Sequence, residues 1–106
     1  MRDSIQLCPR FDRAFQILGK RWNGLIIRML ADHPLRFGEL DHAIPDVSAR
    51  MLAARLKELE KDGLILRTVY PEVPVLIEYS LSVKGMDLEK ALDSIQVWAD
   101  KWQQSP

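Results

Sequence analysis

The sequence predicts a mainly α domain with one small β-hairpin set before its last helix. Three observations carry that expectation. Apolar residues recur at helical spacing in several short segments, and two β-rich runs flank a proline-bearing loop near residue 72. Serine, proline and glycine stand at the segment boundaries, where helices start and stop. A chain of 106 residues that is 47% hydrophobic and 28% charged suits one globular domain, taken as 1–106.

Cys8-Pro9 opens the first helix, because proline has no N–H to waste in a first turn. Phe11, Ala14, Phe15 and Leu18 follow as an amphipathic stripe, and Gly19 ends it. A second helix, about 22–31, carries Leu25, Ile26, Met29 and Leu30. Ile27 makes it apolar on most sides and places it at the centre of the fold. A short third helix starts at Arg36 and stops before Ile44-Pro45, since a residue preceding proline avoids the helical region.

Ser48 is the N-cap of a fourth helix ending near Asp62, with Gly63 as its left-handed stop. Strands over 64–70 and 75–81 flank Pro71–Pro74, and Ser82 caps a last helix. That helix carries Leu88, Leu92, Ile95, Ala99 and Trp102 on one stripe, with Ala91 and Trp98 beside it. The order is that of a winged helix-turn-helix with an extra helix at each end. Its recognition helix spans about 48–62, its wing about 64–82, and its flanking helices about 9–19 and 83–103.

The longest apolar run, around Gly24-Leu25-Ile26-Ile27, is far short of the roughly 20 residues of a membrane span. Arg2 and Asp3 lead into no long apolar stretch or cleavage site, so no secretory signal and no membrane are expected. A single cysteine fits a reducing, cytoplasmic setting. Net charge is zero, which fails the crude test for a nucleic-acid binder. The halves differ, however. Residues 1–70 hold 12 basic and 9 acidic residues, and 71–106 hold 3 and 6.

The fourth helix carries the candidate site. At about 100° per residue, Leu52, Leu56, Leu59 and Gly63 face inward, while Arg50, Ala54, Lys57 and Lys61 face out. Met51 and Glu58 flank the outer face, and Arg55 sits at the edge of the buried one. Ser48, Ala49, Arg50, Ala53 and Ala54 leave a slim N-terminal half that can enter a major groove. Arg50 can bridge guanine O6 and N7, and Lys57 and Lys61 are placed for phosphates. The bland alternative is a solvated helix face. Arg36, with the third helix's free N–H groups, suits a phosphate or is an ordinary surface arginine. Arg67 on the first strand can reach a phosphate or pair with Glu78 across the hairpin, and the pair is the preferred reading.

Catalysis is not expected. His33 and His42 lie nine residues apart beside Asp32 and Asp41, which matches no standard zinc spacing, and one cysteine completes no structural site. No Gly-rich phosphate loop or nucleophile elbow is present, so no metal and no cofactor are expected. The competing function is a winged-helix module that binds protein rather than DNA. Arg50 discriminates, since loss of a base reader costs about 1–3 kcal/mol and relaxes base preference.

The motifs together resemble the HxlR-type winged-helix transcription regulators, a bacterial group related to the MarR type. The residues concerned are Cys8-Pro9, Gly19 with Trp22, Arg36-Phe37-Gly38-Glu39-Leu40, Ser48, Met51-Leu52 and Arg55-Leu56. Glu58-Leu59-Glu60, Asp62-Gly63-Leu64, Tyr70-Pro71-Glu72-Val73-Pro74, Glu78-Tyr79-Ser80-Leu81 and Gly85 continue the match, which runs from about Cys8 to Trp102. The resemblance implies a homodimer on a pseudo-palindromic double-stranded operator. It places the dimer on the first and last helices, here Phe11, Phe15, Ile95, Trp98 and Trp102. It also implies an effector, either a small molecule in the dimer cleft or an oxidant or electrophile sensed at Cys8. Cys8 stands at a helix start with Arg10 close by, a setting that favours a thiolate; the alternative is a buried, inert thiol. Two positions depart from the pattern: Lys20-Arg21 stand where many relatives have a second glycine, and Leu76 stands where a wing cation is common.

Overall fold

The computed structural model describes residues 6–103, which form five helices and one three-stranded antiparallel sheet. The mainly α expectation with a small β element holds. Helix α1 (Pro9–Leu18) starts from an extended Cys8 with Pro9 in its first turn and buries no residue fully. Helix α2 (Asn23–Met29) follows, then strand β1 (Leu35–Arg36), helix α3 (Phe37–Ala43) and helix α4 (Ala49–Lys61). Strands β2 (Ile65–Tyr70) and β3 (Leu76–Leu81) make the hairpin, and helix α5 (Val83–Trp102) ends the fold.

Gly19 ends α1 as expected, but the strained residue of the turn lies further on. Gly19 keeps an ordinary right-handed backbone, and Trp22 takes the left-handed one, with φ 83°. Such a conformation costs a bulky residue about 1–3 kcal/mol unless its surroundings hold it. Here Arg21 lies over the Trp22 ring at 4.2 Å, and the side chain of Asn23 donates to the Ile17 carbonyl at 2.9 Å. Ile26 N–H bonds Trp22 O, so the strained residue still starts the helix.

Strand β1 was not anticipated and pairs on the open side of β3, giving the order β1-β3-β2. Leu35 faces Tyr79 and Arg36 faces Glu78. In the hairpin, Arg67 opposes Tyr79, while Glu78 opposes Thr68. Successive side chains point to opposite faces of a sheet, so Arg67 and Glu78 lie on different faces. The expected pair does not form. Glu78 instead lies beside Tyr70 and raises that phenol above its ordinary range.

One core joins the elements. Ile26, Ile27 and Leu30 meet Leu40, Ile44, Val47, Leu52, Leu56 and Leu59, with Leu64, Ile65, Leu81 and Leu92 closing it. Helix α2 is central as expected, but not covered all round: Leu25 and Met29 remain exposed.

Helix α4 ends in a left-handed Gly63, with Gly63 N–H on Glu60 O and Leu64 N–H on Leu59 O, so two orphan carbonyls are satisfied. Gly63 itself is exposed, past the inward stripe it was expected to continue. Ser82 Oγ accepts from Gly85 N–H at 3.0 Å and donates to Gly63 O at 2.5 Å, and Lys84 reaches Asp62 O at 2.7 Å. The start of α5 is thereby locked to the end of α4.

Candidate nucleic-acid interface

Helices α3 and α4 are joined by Ile44-Pro45-Asp46-Val47-Ser48, and the turn is anchored by Ile44 and Val47, both buried. Ser48 Oγ accepts from Met51 N–H at 3.0 Å and so fixes the entry of α4. Leu52, Leu56 and Leu59 hold its inner face to the core. Ser48, Ala49, Arg50, Met51, Ala53, Ala54, Lys57 and Lys61 are all exposed. The structure therefore brings the expected outer-face residues onto one open surface.

The cations of the domain sort into two sets. Arg55 is committed, with Nε on Arg21 O at 3.0 Å and Nη1 on Glu58 at 3.0 Å. Lys20 meets the same Glu58 at 3.4 Å. Arg55 above all, and then Lys20, hold the Glu58 carboxyl below its usual range, against the opposing effect of desolvation. Arg28 is committed to Glu89 and Asp93 on α5. The hydrogen bond to Asp93 is the largest influence raising its pKa further, so this guanidinium stays charged. By contrast, Arg50, Lys57 and Lys61 have no ion-pair partner among the described residues.

Arg36 is exposed at the end of β1, but its N–H donates to Glu39 Oε1 at 2.8 Å. One donor of the α3 start is thus occupied, and a carboxylate stands where an anion was expected. The wing tip spans 71–75. Val73 at its apex is 100% exposed, and no lysine or arginine occurs between Arg67 and Lys84. The hairpin carries Glu72 and Glu78, with the exposed Arg67 on β2 as its one cation.

Cys8 is exposed at the start of α1 in the single chain. On the same helix Phe11 and Phe15 meet with tilted rings, centroids 5.0 Å apart, and remain largely open. At the far end, Trp98 and Trp102 are 54% and 61% exposed, and Ile95 is uncovered too. Sequence reasoning missed the exposed Leu25 and Met29 of α2, and the grip of Arg28 on α5. Only Leu25 and Met29 gave a signal, as surplus apolar positions on a short helix.

The HxlR-like helix-turn-helix family model matches residues 17–106. The chain belongs to that family. Among curated HxlR-like relatives, the HTH-type transcriptional regulator YodB of Bacillus subtilis is 49% identical over 96 residues, spanning 91% of this chain and 86% of YodB. The quinone-bound crystal structure of YodB superimposes with a TM-score of 0.79 at 45% identity, covering 91% of this chain and 100% of that one. The redox regulator HypR in its oxidised form gives 0.86 at 33% identity, over 92% and 100%. This HxlR-like chain is a DNA-binding transcription regulator with a winged helix-turn-helix. Among its described residues, no helix is long and apolar enough to cross a membrane.

Proposed function

We propose that the protein acts in the cytoplasm, without catalysis, as a homodimer that sets two copies of α4 into successive major grooves of a pseudo-palindromic operator. The observation that carries this reading is the outer face of α4, where Arg50, Lys57 and Lys61 are free while neighbouring Arg55 and Lys20 are engaged. Arg50 reads guanine, Lys57 and Lys61 hold phosphates, and Ser48, Ala49, Met51, Ala53 and Ala54 allow close approach. Arg36 contributes a flanking phosphate contact. Helices α1 and α5 pair with those of the second copy through Phe11, Phe15, Ile95, Trp98 and Trp102, whose exposure supports a covering partner.

Cys8 is the sensor. Its exposure and the likeness to quinone-bound YodB and oxidised HypR support an oxidant or electrophile as effector. With one cysteine per chain, an oxidised product is a mixed disulfide with a small thiol or a disulfide between two chains.

Anisotropy of labelled DNA from the gene's own upstream region tests the reading against a scrambled duplex, in reductant, at two salt concentrations. Selective binding that weakens with salt is expected. Equal, weak binding to both would favour a protein-binding module, the alternative supported by the apolar, cation-free wing tip.

A further inference from the structure

We propose that Arg28 is a positioning residue for operator recognition: it fixes the direction in which the second half of α5 leaves the domain, and with it the separation of the two recognition helices. The inference rests on the dimeric, DNA-binding reading above.

Arg28 stands on α2, whose Ile26 and Ile27, with Leu30 just beyond its end, share the core with Leu52, Leu56 and Leu59 of α4. It is therefore fixed relative to the recognition helix. Its Nη1 alone donates to Glu89 at 2.5 Å and to Asp93 at 2.6 Å. Those two carboxylates lie one helical turn apart on α5, where like charges repel unless a cation sits between them.

The site of this grip matters. Leu92 is the last buried residue of α5, and Asp93 is its last side chain bonded to the rest of the domain among the described residues. From Asp93 to Trp102 the helix projects without cover, except for a half-buried Ala99. At about 1.5 Å per residue that arm is about 14 Å long, so a pivot of about 15° moves its tip by about 4 Å. That is close to the rise of one base pair, about 3.4 Å. An arm that forms the dimer thus converts a small change at Arg28 into a one-base-pair change in half-site spacing.

The test is a set of upstream-operator duplexes in which the half-site spacing is native, shortened by one base pair or lengthened by one. Wild type is expected to prefer native spacing by about tenfold, the scale of a mismatch in a specific site. Arg28→Met, and independently Asp93→Asn at an exposed position, are expected to flatten that preference while remaining dimers by light scattering. Arg28→Lys is expected to restore it, because both bonds come from one nitrogen. Should Arg28→Met fail to fold, Asp93→Asn carries the test. Variants that keep the wild-type spacing preference, or that weaken all spacings equally, overturn the proposal. Wild type that binds no duplex better than scrambled DNA overturns the DNA-binding reading itself, and this proposal with it.

Discussion

The α-carbon of Gly85 lies directly against the carbonyl of Leu64, leaving no room for a β-carbon. This close approach seats the first turn of α5 on the chain leaving α4. Gly85→Ala would force the two backbones apart, and overpacking of this kind costs about 1–3 kcal/mol. Urea denaturation should give a lower midpoint with an unchanged slope.

Arg50→Ala should weaken operator binding by about 1–3 kcal/mol and relax base preference at one position of each half-site. Lys61→Ala should behave differently. It should weaken all sequences alike and reduce the salt slope by about one unit per protomer. Titrations against operators varied at single positions separate the two outcomes.

Cys8→Ser should bind operator in reductant as wild type does, since Cys8 is remote in sequence from α4 and has no side-chain bond in the cap of α1. Diamide should release wild type and leave the variant bound. An equal response of both proteins would remove Cys8 as the sensor.

Trp98→Ala and Trp102→Ala should shift the chain toward monomer, because aromatic anchors at an interface centre are worth about 2 kcal/mol or more. Sedimentation at several concentrations measures the dissociation constant directly. Tryptophan emission of wild type should move to the red on dilution as the rings meet water.

Glu58 gives a pH test. Its folded-state carboxyl lies below its ordinary range because of Arg55 and then Lys20. The stabilisation is therefore complete above the ordinary carboxylate range and is lost as pH falls through the depressed value. Glu58→Gln should be less stable than wild type at pH 7, and the two stabilities should converge in acid. A gap that persists unchanged at low pH would assign the effect to packing instead.

Much of the fold was legible because its helices carry regular apolar stripes and explicit caps; Ser48 and Ser82 both accept from the residue three positions on. The parts that were not legible have local reasons. Strand β1 is two residues long, too short for any alternation to show. Nothing in a tryptophan's propensity points to the left-handed backbone of Trp22. Pairing Arg67 with Glu78 was wrong by one register position, which in a sheet means the wrong face. At the candidate site, periodicity revealed the outward face of α4. It could not reveal which cations were already engaged, because Arg55 bonds a carbonyl 34 residues away and Arg28 a carboxylate 61 residues away.

The cation-free wing tip carries a consequence for how the regulator finds its target. Phosphate contacts hold a protein on every stretch of duplex alike, and each one given up shortens its stay on irrelevant sequence. With Val73 at the hairpin apex and Glu72 beside it, the wing tip contributes no such hold, which leaves Arg67 on β2 as the hairpin's one cation. Under the proposed reading, shorter visits to ordinary DNA are expected than with a basic wing tip, with less protein sequestered there and more left free to scan. On the same reading, occupancy of the operator then depends on the few bases that α4 meets, and a single substitution in a half-site should be felt more sharply than in a regulator with a basic wing tip.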